Sequence, residues 1–308
     1  MSYRNIGKAL GISTNTARTR INNLILRKVI EQFFTMVNFS LVGYNEVLTI
    51  ILKVNKIHNI VDKVDKTMRG YGPIYMHIEI FDGVHVFGIA VKNGYATNNN
   101  PDSLRKNLSK MFGKGIFVID VFFGKHTSLV SEKFHLRKID LEIIECLLSD
   151  PRMTFLNIAK RLGCSQKTVI RRVEKLISNR VIMGFSLQCN PSNMKGYNYF
   201  SLLLHTRPYM ANEVMKKISY SDLYEYILRF PPFVYHDRII IVFHIENVFD
   251  IESIVSKIRS IIGVLEAEAY QPIRIEWHEG WLKKEIRDKI FVQSKMDLYY
   301  KKEQSIQL

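Results

Sequence analysis

The sequence predicts an α+β chain: two helix-turn-helix units and two βαββαβ sandwiches in tandem. Three observations carry that expectation. Residues 136–182 have the apolar spacing and the breakers of three short helices. A shift of 152 residues lays residues 5–30 on residues 157–182. Behind each of these stretches run segments with strand alternation, interrupted by stretches with helical spacing.

The stretch 136–182 organises the chain. Leu136, Ile139, Ile143, Ile144, Leu147 and Leu148 share one helix face until Asp150-Pro151 ends it, because proline cannot continue a helix. TFLNIAKRL gives a second helix with Phe155, Ile158, Ala159 and Leu162 inward, and Gly163 breaks it. Ser165 is a suitable N-cap for a third helix with Val169, Val173 and Leu176 inward. A helix, a glycine-containing turn and a Ser-capped helix make a helix-turn-helix. Gln166, Lys167, Ile170, Arg171 and Lys175 are then left outward on the third helix. Gln and Lys near a helix N-terminus can reach base edges in a major groove, and Arg can hold phosphate or guanine.

The first copy reads NIGKALGISTNTARTRINNLILRKVI against NIAKRLGCSQKTVIRRVEKLISNRVI in the second. Gly43-Tyr44-Asn45 recurs as Gly196-Tyr197-Asn198, so the repeat extends past the helices. Met1 falls where the second copy enters its second helix. The first copy therefore lacks a counterpart of residues 136–150. Either the chain starts upstream, or another segment fills the gap. The tail at 281–308 offers Trp281, Ile286 and Ile290 for that role.

In the first sandwich, EVLTIILKV is a strand, and Ile57, Ile60, Val61, Val64 and Met68 mark a helix. IYMHIEIF and VHVFGIAV form a hairpin about Asp82-Gly83, pairing His85 with Ile80. Leu104, Leu108, Met111 and Phe112 mark a helix, and IFVIDVFFG is the last strand. Residues 128–136 connect the halves. In the second sandwich NYFSLLLHT, LYEYILRF, DRIIIVFHI and VLEAEAYQPIRI are the strands, with helices about Val214–Ile218 and Ile251–Ile261. Each order is that of a ferredoxin-like sandwich. The expected boundaries are 1–38 and 136–190 for the helix-turn-helix units, 44–128 and 197–276 for the sandwiches, and 277–308 for a basic helical tail.

The 308 residues carry a net charge of +15, with pI near 9.6. Residues 1–30 hold six Lys/Arg and no Asp or Glu, and residues 136–183 hold ten against five. Most of the excess thus sits in the two helix-turn-helix stretches, which points to a polyanion partner. A basic membrane-surface protein would want an amphipathic basic helix with exposed aromatics, and these stretches have none. Cys146, Cys164 and Cys189 form no C-x-x-C pair, and no apolar run has the length of a signal or a membrane span. These features predict a cytoplasmic protein with no membrane partner.

The second helix-turn-helix resembles the DNA-binding domain of the leucine-responsive regulator/AsnC family. Asp140, Arg152, Ala159-Lys160-Arg161-Leu162-Gly163, Ser165, Thr168-Val169, Arg172-Val173, Leu176 and Val181-Ile182 carry the likeness. The family has Glu and Gly where Ile177 and Arg180 stand, so the helix exit is expected to differ, with Asn179 left-handed. The resemblance implies a fused tandem transcription regulator that binds double-stranded DNA. Thr14, Asn15 and Arg18 would read one half-site, and Gln166, Lys167 and Arg171 the other. Ser165 and Thr168 sit at the same helix start, and Arg20 and Arg172 would hold phosphates or stay structural. It also implies a small-molecule effector between sandwiches, with Asp237 near the expected place. The sandwiches are expected to pair within one chain as a pseudo-dimer, or across a homodimer.

No P-loop, dinucleotide glycine run or G-x-S-x-G elbow is present, so no catalysis and no cofactor are expected. The pairs His77/His85 and His236/His244 share a spacing of eight but are read as non-ligands. Two alternatives stand beside the regulator: a ligand-binding or scaffold module that has lost one DNA-binding unit, and an enzyme like the tetrapyrrole decarboxylases that share this architecture.

Overall fold

The computed structural model describes residues 2–55, 60–125, 134–190, 193–194, 196–227 and 233–306. Helices α1 (Tyr3–Leu10) and α2 (Thr14–Leu26) lead into strand β1 (Ile30–Val37). The first sandwich follows as β2 (Glu46–Val54), α3 (Ile60–Arg69), β3 (Ile74–Ile80), β4 (Val84–Val91), the short α4 (Tyr95–Asn98), α5 (Pro101–Phe112) and β5 (Ile116–Lys125). Helices α6 (Lys138–Ser149), α7 (Phe155–Leu162) and α8 (Gln166–Ser178) lead into β6 (Ile182–Cys189). The second sandwich is β7 (Asn198–Thr206), α9 (Ala211–Ser219), β8 (Phe233–Val234), β9 (Arg238–Ile245), α10 (Asp250–Arg259) and β10 (Val264–Tyr270). Strand β11 (Pro272–Trp277) and helix α11 (Gly280–Ile306) close the described chain.

The architecture is α+β with antiparallel sheets, as the patterning predicts. The first sheet runs β11-β3-β4-β2-β5 and the second β10-β7-β9-β8. Without β11, the two orders match strand for strand. Each sheet packs one face on its own helices. Leu48, Ile50, Phe87 and Ile89 meet α3 and α5 in the first sandwich, and Leu202, Leu204, Ile241 and Phe243 meet α9 and α10 in the second. The other faces meet each other. Ile51, Met76, Ile78 and Phe122 share one core with Leu203, Tyr235 and Ile240. This is why β4 is buried at every position: both of its faces are covered.

The structure corrects four expectations. VLEAEAYQPIRI does not close one sheet but is divided between two. β10 pairs with β7, whereas β11 crosses to the edge of β3, from Pro272 opposite Ile80 to Trp277 opposite Met76. Pro272 has no N–H to extend the β7 ladder, and β3 offers an unpaired edge. LYEYILRF is not a strand through its described part. Ser221 caps a 3-10 helix over Asp222–Tyr226, leaving β8 with two residues. In the first hairpin the turn takes three residues, Phe81, Asp82 and Gly83, so His85 lies opposite Glu79 and His77 opposite Phe87. Finally, Arg180 rather than Asn179 takes the left-handed conformation, with φ 57°, and Lys28 does the same at the matching place in the first copy, with φ 53°. Ile57, residues 128–133 and Pro231-Pro232 lie outside the described residues.

Among the described residues the tail packs on the second helix-turn-helix, not on the first helix pair. α11 packs on α6, with Leu282 and Ile286 buried in the central core and Arg287 Nε 2.6 Å from Glu145 Oε1. Trp281 meets the rings of Phe39 and Tyr44 edge-on at 5.1 and 5.2 Å. Leu282 and Ile286 are one turn apart, so a single face docks both.

Candidate nucleic-acid interface

The second helix-turn-helix is built by local signals. Thr154 caps α7 by accepting from the N–H of Asn157 at 3.2 Å. Gly163 ends α7 in the left-handed conformation, where a Cβ would cost energy. Ser165 then caps α8, accepting from the N–H of Thr168 at 3.1 Å, and the two hydroxyls lie 2.9 Å apart. Ser165 and Thr168 thus spend their side chains on the cap. Gln166, Lys167 and Arg171 stand exposed on the outward face. The inward stripe, Val169, Val173 and Leu176, is buried against α6 and α7.

The first pair repeats this geometry. Ser13 caps α2 at 3.0 Å, with its hydroxyl 2.8 Å from that of Thr16. Thr14, Asn15, Arg18 and Arg20 are exposed. The Arg18 guanidinium lies over the Tyr3 ring, 5.6 Å from its centroid. The difference is underneath. Leu24 is 37% exposed, whereas its counterpart Leu176 is 0% exposed, because α6 lies over the second pair alone.

Arg172 departs from the DNA-contact reading. It lies three residues after Val169 and four before Leu176, which puts it on the inward stripe. Its Nη1 reaches 3.4 Å from Oδ2 of Asp140, which is fully buried and also accepts from the N–H of Arg137 at 2.9 Å. Arg172 therefore fastens α8 to α6. The i+3/i+4 spacing was the signal available for this role. Arg20 holds the same repeat position but is exposed.

A two-stranded ribbon joins the two units. β1 and β6 run antiparallel, from Ile30 opposite Cys189 to Val37 opposite Ile182. Its ends are related by the repeat: Asn38 donates its N–H to the Val181 carbonyl and Asn190 to the Val29 carbonyl, both at 2.9 Å. Arg152 of the second unit lies 4.7 Å from the ring centroids of both Tyr3 and Phe33 of the first. Thr35 on β1 donates to the carbonyl of Leu147 on α6 at 2.8 Å. Sequence reasoning passed over these ties, since they join residues more than a hundred positions apart.

The other marked residues sit away from this interface. Asp237 pairs with Arg238 at 2.7 Å, and Arg238 Nε reaches Asp120 of β5 at 3.1 Å, so this group is an ion-pair bridge between the sheets. The effector expectation at Asp237 thus meets a carboxylate already engaged. His77 Nε2 lies 3.0 Å from His85 Nδ1, and both rings stack with Phe87. Burial and the neighbouring His85 push His77 down to about 4, and burial lowers His85 too. His236 packs edge-on against Tyr209. Among the described residues no group of three or more His, Cys, Asp or Glu could hold a metal ion, and no helix is long and apolar enough to cross a membrane.

Comparison with known proteins gives a match to the AsnC-type helix-turn-helix domain over residues 138–177. An HTH-type transcriptional regulator of Methanocaldococcus jannaschii is 34% identical over 88 residues, which is 28% of this chain and 59% of the relative. The HTH-type transcriptional regulator LrpA of Pyrococcus horikoshii is 36% identical over 80 residues, 26% of this chain and 56% of the relative. The chain thus spans a little over half the length of these relatives. Among solved structures, the siroheme decarboxylase NirDL overlays 95% of this chain and 93% of its own, at 12% identity and a TM-score of 0.49. The AsnC protein of E. coli overlays 48% of this chain and 95% of its own, at 19% identity and a TM-score of 0.33.

Proposed function

Residues 138–177 form an AsnC-type helix-turn-helix domain, and from that premise we propose that the chain is a sequence-specific DNA-binding transcription regulator working as a fused pair. The supporting observation is the exposed row Gln166, Lys167 and Arg171, on a capped helix fastened to a second, differently faced copy by the β1–β6 ribbon. Gln166 and Lys167 lie at the helix N-terminus, where side chains reach base edges in the major groove. Thr14, Asn15 and Arg18 occupy the same places in the first copy. Their chemistry differs, so the two half-sites differ in sequence and lie about one DNA turn (~34 Å) apart. The paired sandwiches act as an intrachain pseudo-dimer that fixes this spacing, and the complex forms in the cytoplasm. Arg20 adds a phosphate contact, whereas Arg172 stays structural.

The test is in-vitro selection from random DNA at low and moderate salt, with a Gln166→Ala/Lys167→Ala/Arg171→Ala variant as control. An enriched two-part motif, lost in the control, is the expected result. A one-part motif would confine the function to the second unit. Absence of binding at low salt would overturn the regulator and favour a ligand-binding module or an enzyme.

A further inference from the structure

The two halves are copies, so each shows what the other has altered. After α3, the first half forms the seven-residue strand β3, paired along β4. After α9, the second half forms the 3-10 helix Asp222–Tyr226 instead. Among the described residues it rejoins β9 at the Ile227–Phe243 bridge and through the two residues of β8. A cavity of about 1060 Å³ opens at that place. Ile240 and Val242 on β9 form one wall, Tyr224 another and Leu187 on β6 a third, with Met76 of β3 and Trp277 of β11 closing it from the first sheet. The cavity opens to solvent, with Tyr224 half exposed, and pockets of roughly 300–1,000 Å³ hold drug-sized molecules.

The charge of the wall restricts what can enter. The chain carries +15, yet no Lys or Arg is among the described residues lining the cavity, whereas Asp222 and Glu225 are. Asp222 is engaged by Lys257 at 2.7 Å. A carboxylate or sulfonate moved against this wall would lose water and face the Glu225 carboxylate, at a cost. Aromatic rings, methionines and aliphatic chains make most of the rest of the surface, with serine hydroxyls, Gln188, Asn198, Cys189 and His244 between them. We propose that this cavity is a binding site for a flat, largely apolar molecule, neutral or carrying one positive charge. The altered segment of the second half created it. It lies apart from Asp237, and its acidic side chains disfavour acidic ligands.

Two fluorescent probes with the same fused rings test this on the full chain. N-phenyl-1-naphthylamine is neutral, and 8-anilino-1-naphthalenesulfonate adds a sulfonate. The expected result is saturable one-to-one binding of the neutral probe, with the sulfonate at least about tenfold weaker. Val242→Trp and Leu187→Trp, which fill the cavity from different walls, should each weaken the neutral probe about tenfold with unchanged thermal melting. Non-saturating binding, equal affinity for the sulfonate, or full affinity in both filled variants would overturn the site. The probe comparison needs no variant, so a misfolded substitution does not remove the test. No DNA is present, so the outcome is independent of the regulator function.

Discussion

Arg172 and Asp140 fasten α8 to α6: the guanidinium lies 3.4 Å from a carboxylate that no solvent reaches. Arg172→Ala leaves that carboxylate buried without its cation, and should cost about 3–5 kcal/mol in urea denaturation. Arg20→Ala, at the same repeat position but exposed, should change stability by less than about 0.5 kcal/mol. Equal effects would show that the pair is not what holds α8.

Arg171 projects outward one position earlier. Arg171→Ala should leave stability unchanged and reduce discrimination between the selected site and a mismatched one by about 1–3 kcal/mol. Competition binding at fixed salt measures this. A loss of equal size on every sequence would mean that Arg171 holds phosphate.

His77 makes stability depend on pH. Its folded value is pushed down to about 4, mainly by burial and then by His85, while the unfolded chain binds the proton at its ordinary value. The unfolded state therefore takes up more protons between roughly pH 6.5 and 4, and the protein loses stability as pH falls through that window. Melts at pH 7.5 and 4.5 should show a loss that His77→Gln reduces by roughly 1–3 kcal/mol. A wild-type curve that the substitution leaves unchanged would assign the acid sensitivity elsewhere.

Tyr235 lies so close to Gly124 that a Cβ there would stand 1.9 Å from its ring. The Tyr235 hydroxyl is 2.9 Å from that of Thr49, and its ring meets Phe122 edge-on. Gly124→Ala should force the sheets apart and cost about 1–3 kcal/mol or more. Adding Tyr235→Leu should recover part of it. A double variant no better than the single one would rule out this contact as the cause.

Ile286 is 0% exposed where α11 meets α6. Ile286→Ala should destabilise by about 2–5 kcal/mol. Hydrogen exchange should locate the opening at α6, with α1 and α2 unaffected. Faster exchange at α1 instead would restore the tail to the first unit.

What was legible in the sequence was what neighbours along the chain decide. Ser165, Gly163 and the Val169–Val173–Leu176 stripe announce a capped helix after a tight turn, and the repeat announces a second one. What was not legible was decided by distant residues. Pro272 ends one ladder, but nothing near it says that the next partner is β3, almost two hundred residues earlier. Three turn residues in place of two moved His85 from Ile80 to Glu79, a slip that alternation alone cannot detect. LYEYILRF has strand composition, yet Ser221 caps its start into a 3-10 turn, because tertiary packing and not propensity decides short apolar runs. For Arg172 the sequence left a phosphate contact and a structural role both open, although its spacing from Val169 and Leu176 favours the inward place it takes.

The ribbon of β1 and β6 has a quantitative consequence for the cell. A regulator assembled from separate subunits falls apart on dilution, so its occupancy of DNA rises with roughly the square of its copy number when copies are few. Here both heads belong to one polypeptide and share one hydrogen-bonded ribbon. In the proposed regulator acting as one chain, occupancy would follow copy number linearly, with no assembly threshold. The two heads can also diverge freely, since a substitution in one is never imposed on the other. Symmetric dimers lack that freedom.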